Sequence, residues 1–149
     1  MRQAARAIIL KDKDQLLLMH RNKFGQEYDI LIGGGVDMGE TPLQAVLREI
    51  HEETGVAVSQ PRLVFIEQAG EPYGTQYIYL CQYLSGDPKL DTEATELKID
   101  KMGMNRYQPV WRTLEELKQL PMRSESLKKS IINGLENGFP DQPIDITNA

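Results

Sequence analysis

The chain carries a single cysteine, Cys81, among 149 residues, so no disulfide can form within it. A lone cysteine also fits a reducing compartment. With only two histidines beside it, His20 and His51, the usual zinc ligand sets cannot be assembled. Long apolar runs are missing too. The run at residues 7–10 is too short for a secretion signal, and no stretch approaches membrane-spanning length. These absences point to the cytoplasm and away from a membrane. An excess of positive charge is also lacking: 17 Lys and Arg stand against 22 Asp and Glu, a net charge of -5. A sequence-independent grip on long nucleic acid needs a basic surface, so that class of partner is not expected. A small nucleotide remains compatible, because a bound cation can carry its phosphates. No repeat or low-complexity segment interrupts the chain.

Short apolar runs at 5–10 and 15–20, separated by the polar turn KDKD, predict a β-hairpin. A third strand at 28–32 runs into three glycines, Gly33, Gly34 and Gly35. A helix is expected from Thr41 to Thr54, with Thr41 as N-cap, Pro42 in the first position, Gln44 closing a capping box and Gly55 stopping it. Strands are expected at 62–68 and 76–84, a polar loop at 88–105, and a strand at 108–112 with Pro109 at an edge or at the strand start. Helices are expected at 114–120 and 126–137, with a loose tail from 140 to 149. The pattern reads as α+β, one domain over residues 1–139.

The helix at 41–54 breaks local rules. Leu43, Val46, Leu47 and Ile50 make its expected buried stripe, while Glu49, Glu52 and Glu53 crowd one turn at its C-terminal end. Like charges at such spacing cost roughly 0.2–0.5 kcal/mol per pair, and they face the negative end of the macrodipole. Arg48 can relieve part of this through Glu52. A hard divalent cation such as Mg²⁺, which takes oxygen ligands, would supply the missing charge. On spacing alone a solvated acidic face is the more ordinary account of the cluster.

The wider pattern decides. From Gly34 the chain reads G-x5-E-x7-R-E-U-x-E-E-x-G-U, with U aliphatic, ending at Val56. Seven positions are of fixed type. Chance agreement at about 7% each is on the order of 10⁻⁸ per site. This segment resembles the Nudix box of the Nudix (MutT-like) hydrolases, and the order of elements around it fits that family. The resemblance implies a Nudix fold, a mixed β-sheet sandwiched between helices. It implies Mg²⁺- or Mn²⁺-assisted attack of water on a pyrophosphate bond in a nucleoside diphosphate joined to a group X. By the same resemblance Glu49, Glu52 and Glu53 match the metal-binding glutamates, with Glu49, Glu53 and Arg48 at the catalytic centre. Arg48 matches the arginine that orients a glutamate, Glu40 a supporting partner, and Gly34, Gly35 and Gly55 the loop and helix-end glycines.

The general base is open between Glu49 and a later loop acid, for which Glu93 and Glu96 are candidates. Phe24, Tyr73 and Tyr77 are candidates for contact with the substrate. By the resemblance, Ile32 and Asp29 stand where many relatives carry a proline and an aromatic, at the wall that holds the substrate. Pro72, at a position some ADP-ribose hydrolases mark with proline, and Tyr73, near one that dinucleoside polyphosphate hydrolases mark with tyrosine, pull in different directions. The leading expectation is a nucleoside triphosphate, including oxidised ones, or a nucleotide sugar. The alternatives are ADP-ribose, a dinucleoside polyphosphate, or a non-catalytic regulatory domain. A homodimer is left open.

Overall fold

A computed structural model describes residues 2–89 and 105–147. Its strands are β1 (Gln3–Lys11), β2 (Gln15–Lys23), β3 (Gln26–Gly35), β4 (Ala57–Val58), β5 (Arg62–Gln68), β6 (Thr75–Ser85), β7 (Asn105–Thr113) and β8 (Ile144–Asp145). The helices are α1 (Pro42–Glu53), α2 (Leu114–Gln119) and α3 (Glu125–Asn137). The expected α+β class holds: seven strands form one mixed sheet in the order β7-β2-β3-β1-β6-β5-β8, and β4 pairs with β6. The β1–β6 and β5–β8 pairings are parallel and the others antiparallel. Pro109 lies in β7, at the rim of the sheet, where a missing N–H can be tolerated.

Strand alternation sends side chains to two cores. Ile8, Leu10, Leu16, Leu18, Leu31 and Phe65 pack on one face with Leu117 of α2 and Leu127 and Ile131 of α3. Ala5, Ala7, Ile9, Leu17, Met19 and Ile32 pack on the other with Ala45, Val46 and Ile50 of α1. Cys81 is buried there, and burial pushes its thiol up to about 12, which makes it an inert packing group. Among the described residues no helix is long and apolar enough to cross a membrane.

One feature of the sheet positions everything that follows. The N-terminal half of β3 pairs with β2, from Leu18 opposite Leu31 down to Lys23 opposite Gln26. Its C-terminal half pairs instead with β1, from Ala7 opposite Ile32 to Ala4 opposite Gly35. The start of β2 pairs with the end of β1, at Ile9 opposite Leu17. The sheet therefore divides beside the glycines, and one flank of β3 is left without a strand.

Two expectations need correction. The tail is not loose through residue 147. Ile144 and Asp145 pair with Phe65 and Ile66, Ile146 is 2% exposed, and the Gln68 amide donates to Thr147 Oγ1 at 2.8 Å. An unpaired strand edge and an apolar side chain outweigh the loop-like composition. The buried stripe of α1 also differs. Leu47 is exposed, whereas Ala45, Val46, Glu49, Ile50 and Glu53 face inward.

Asp29 is completely buried on the α2/α3 face of the sheet. Its carboxylate accepts from Arg112 Nε at 2.8 Å and meets His20 Nδ1 at 2.6 Å, while His20 Nε2 meets Glu27 at 3.1 Å. Burial pulls the His20 imidazole down, but its bonds to Asp29 and Glu27 more than offset this, leaving it above its ordinary value. A raised value in the folded state means stability that is full below about 6.5 and lost as pH rises through the folded value. The penalty of His20→Gln is therefore greater at pH 5.5 than at pH 9, by about 1 kcal/mol, the scale of one partly screened charge-assisted hydrogen bond. Urea unfolding of both proteins at the two pH values measures this. An equal penalty at both would show that His20 is neutral in the fold.

Candidate active site

The site is assembled where the sheet divides. Thr41 caps α1 by accepting from the Gln44 amide at 3.1 Å, and Gln44 Oε1 accepts from the Thr41 amide at 2.9 Å. Gly55, with φ of 72°, ends the helix in a conformation other residues resist. Between these stops α1 points its last turn at the unpaired flank of β3. There the Gly33 amide donates to Glu53 Oε1 at 2.8 Å. Glu53 thus fills the place of a strand, satisfying a backbone group that burial would leave costly.

The glycines serve three different needs. Gly33 has φ of 148°, and a Cβ there would collide with the Ala5 carbonyl. A Cβ on Gly34 would lie 2.8 Å from Glu49 Oε1, so the missing side chain gives Glu49 its room. Gly35 has open space around it and contributes its carbonyl, which accepts from Arg48 Nη2 at 3.1 Å.

Arg48 organises the carboxylates. Its Nε and Nη2 donate to both oxygens of Glu40 at 2.7 and 3.0 Å, a bidentate pairing. Its Nη1 donates to Glu49 at 2.9 Å and to Glu52 at 3.3 Å. Hydrogen bonds to Glu40 and Glu49 raise the Arg48 guanidinium above its usual value despite partial burial. Arg48 and the Asp37 amide hold the Glu40 carboxyl below its usual value.

The three glutamates do not share one direction. Glu49 and Glu53 turn inward, while the Glu52 side chain is 44% exposed. Among the described residues no group of three or more Asp, Glu, His or Cys side chains stands in a ligand arrangement. An α-helix turns about 100° per residue, so positions 49, 52 and 53 fan across one face. The donor chemistry still fits a hard divalent cation: carboxylate oxygens within one helical turn, with a fixed arginine setting two of them. Glu93 and Glu96 lie outside the described residues.

The substrate candidates separate. Phe24 is 69% exposed in the turn between β2 and β3, at the end of β3 away from the glycines. Tyr77 packs on the α1 face and its hydroxyl accepts from Gln3 at 3.3 Å. Tyr73, in the β5–β6 loop, lies under the Arg123 guanidinium at 4.0 Å. A groove of about 550 Å³ runs from Arg2 and Gln3 past Gly35 and Asp37 to Glu40.

Sequence reasoning missed Arg6, Glu67 and Ser124. Arg6 donates through Nε to Gln76 at 3.3 Å, and Ser124 donates to Glu67 at 2.6 Å. Burial lowers the Arg6 guanidinium from its usual value, and Glu53 and Glu49 offset part of this. One signal was available: Arg6 is a charge inside an otherwise apolar strand, AARAII. The meeting of Glu67 and Ser124, 57 residues apart, has no local signature.

The chain is similar to known proteins in sequence and in fold. A family model described as NUDIX domain matches residues 1–132. The 8-oxo-dGDP phosphatase NUDT18 of Danio rerio is 26% identical over 147 residues, covering 93% of this chain and 41% of that protein. The NAD-capped RNA hydrolase NudC of Shigella flexneri is 31% identical over 101 residues, covering 65% of this chain and 39% of that protein. The chain therefore spans about two fifths of the length of these curated relatives. Among solved structures, an ADP-ribose pyrophosphatase of Streptococcus suis superimposes with a TM-score of 0.67 at 20% identity, covering 97% of this chain and 96% of that one. A NUDIX hydrolase of Nitrosomonas europaea gives 0.65 at 23% identity, covering 92% and 89%. With a box complete from Gly34 to Val56, a sheet divided to admit its helix, and a family model matched over 132 residues, the chain belongs to the NUDIX family.

Proposed function

We propose that this chain is a divalent-metal-dependent pyrophosphohydrolase acting on a nucleoside diphosphate joined to a further group, with ADP-ribose the first substrate to test. The observation that carries the reading is the Arg48 clamp, which sets Glu49 beside Gly34 while Glu53 grips the Gly33 amide. Such a fixed acidic surface beside exposed backbone suits a ligand that brings cations and phosphates together. Relatives named for 8-oxo-dGDP, NAD-capped RNA and ADP-ribose favour a nucleoside diphosphate joined to a further group, a class that includes nucleotide sugars, over the triphosphate expected first. Pro72 points to the ADP-ribose side of that group and Tyr73 to a dinucleoside polyphosphate. A nucleoside triphosphate is the second reading, favoured by the MutT structures that share the fold.

In this reading Glu49, Glu52 and Glu53 would hold Mg²⁺ or Mn²⁺, which would polarise a phosphoryl oxygen and acidify bound water. Arg48 keeps Glu49 oriented, and Glu40 keeps Arg48 in place through both carboxylate oxygens. Glu49, or Glu93 or Glu96, takes the proton of the attacking water. Residues 1–139 are read as one domain in the cytoplasm, with residues 140–147 packed upon it.

Three measurements test this. Turnover on a panel containing ADP-ribose, dinucleoside polyphosphates and nucleoside triphosphates vanishes in excess EDTA and returns with Mg²⁺ or Mn²⁺. Hydrolysis that persists in EDTA would overturn the metal dependence. Glu53→Gln lowers turnover by roughly 10²–10⁴-fold, because a charge is lost at the metal. Folding survives, since the amide oxygen can still accept from the Gly33 N–H, and a melting curve checks that. Near-normal turnover in a folded variant would remove Glu53 from the centre. Gly34→Ala displaces the flexible end of Glu49, which costs activity about tenfold or more but less than about 1 kcal/mol of stability. A variant as active as the wild type would show that the position of Glu49 is not critical.

A further inference from the structure

On the face of the sheet away from α1, polar side chains replace the apolar core near the glycine loop. Gln76 on β6 and Glu67 on β5 are cross-strand partners, only 8% and 6% exposed. Arg6 on β1 lies diagonally beside Gln76 and on the same face, because it is opposite Ile78. The row ends at Ser124, the N-cap of α3, bonded to Glu67.

Arg6 is the part of this row that packing does not explain. A guanidinium has five N–H donors. Among the described residues Arg6 makes two hydrogen bonds, to Gln76 Oε1 at 3.3 Å and to the Leu31 carbonyl at 3.5 Å. Both lie beyond the usual range for N–H···O, and the charges of Glu53 and Glu49 offset only part of the cost of its burial. A half-buried cation with so few partners is expensive to keep unless a ligand completes its shell.

Its place indicates which ligand. Arg6 is the register partner of Gly33, and a Cβ on that glycine would lie 3.0 Å from Arg6 Cδ. The Arg6 stem therefore packs against the same glycine whose amide Glu53 holds. Two groups of opposite charge thus meet the backbone of this one buried glycine. A planar guanidinium matches phosphate oxygens better than any other side chain does.

We propose that Arg6 is a substrate-binding residue that takes phosphate oxygens of the nucleoside diphosphate lying over Gly33 and Gly34, held in orientation by Gln76. This rests on the function proposed above and adds a contact outside the box. The opposing account makes Arg6 a fixed counter-charge for Glu53 and Glu49, with no contact to ligand.

Calorimetric titration of the full chain with ADP and Mg²⁺, and with adenosine, separates the two. Arg6→Gln weakens ADP binding by roughly 10–100-fold, the scale of a charge-assisted bidentate bond. Adenosine, which has no phosphate, binds as before. Arg6→Lys keeps the charge without the fork and loses about 3–10-fold for ADP. If Arg6→Gln does not fold, this second variant decides. ADP binding unchanged in a folded variant would overturn the assignment while leaving the hydrolase reading intact. An equal loss for ADP and adenosine would overturn it in favour of a structural role. A wild-type protein that neither binds ADP nor hydrolyses any panel nucleotide would overturn the hydrolase reading and this assignment together.

Discussion

The hydrogen bond from the Gly33 amide to Glu53 is the constraint on which the site depends. Strand β3 changes partner halfway along, from β2 to β1, and leaves one flank open. In a closed sheet a neighbouring strand would satisfy that amide. Here a carboxylate at the C-terminal end of a helix does so, which ties the helix to the sheet at one defined height. The pairing is charge-assisted and buried, the kind whose loss costs most. It also explains why the glutamates sit where a helix dipole disfavours them. The electrostatic penalty within the helix is a few tenths of a kcal/mol per pair, whereas a buried amide without an acceptor costs about 1–3 kcal/mol.

Arg48 turns this tie into a fixed arrangement. It joins Glu40, which precedes the helix, Glu49 and Glu52, which lie within it, and the Gly35 carbonyl, which ends β3. Loop, helix and strand are thus referred to one planar group. A lysine could supply the charge but not the planar fork that engages both Glu40 oxygens while still reaching Glu49 and Gly35.

The helix was legible because its signals are local: a capping box, a proline at the start, a glycine at the stop, and box residues at fixed spacing. Its orientation was only half legible. Leu47 looks like core by periodicity, yet Glu49 and Glu53 take the buried positions because the divided sheet offers them donors. That donor is a property of strand order, which no window of sequence contains. The same holds for Arg6, brought to Gln76 and Glu67 because β1 pairs with the distant β6, and for Asp29, which looked like a departure in a substrate wall and is buried between Arg112 and His20. The tail misled for a different reason. Its composition is that of a loop, and a single isoleucine, Ile146, with an open edge to pair with, is enough to dock it.

That docking has a consequence for how the molecule meets its own kind. Sheet edges invite strands from other chains. Along β5 the invitation is withdrawn by the tail, which occupies Phe65 and Ile66 and bonds to the Gln68 amide. At the other rim Pro109 in β7 has no N–H to offer. Neither border presents a continuous row of backbone donors, so self-association by extending the sheet is discouraged at both ends.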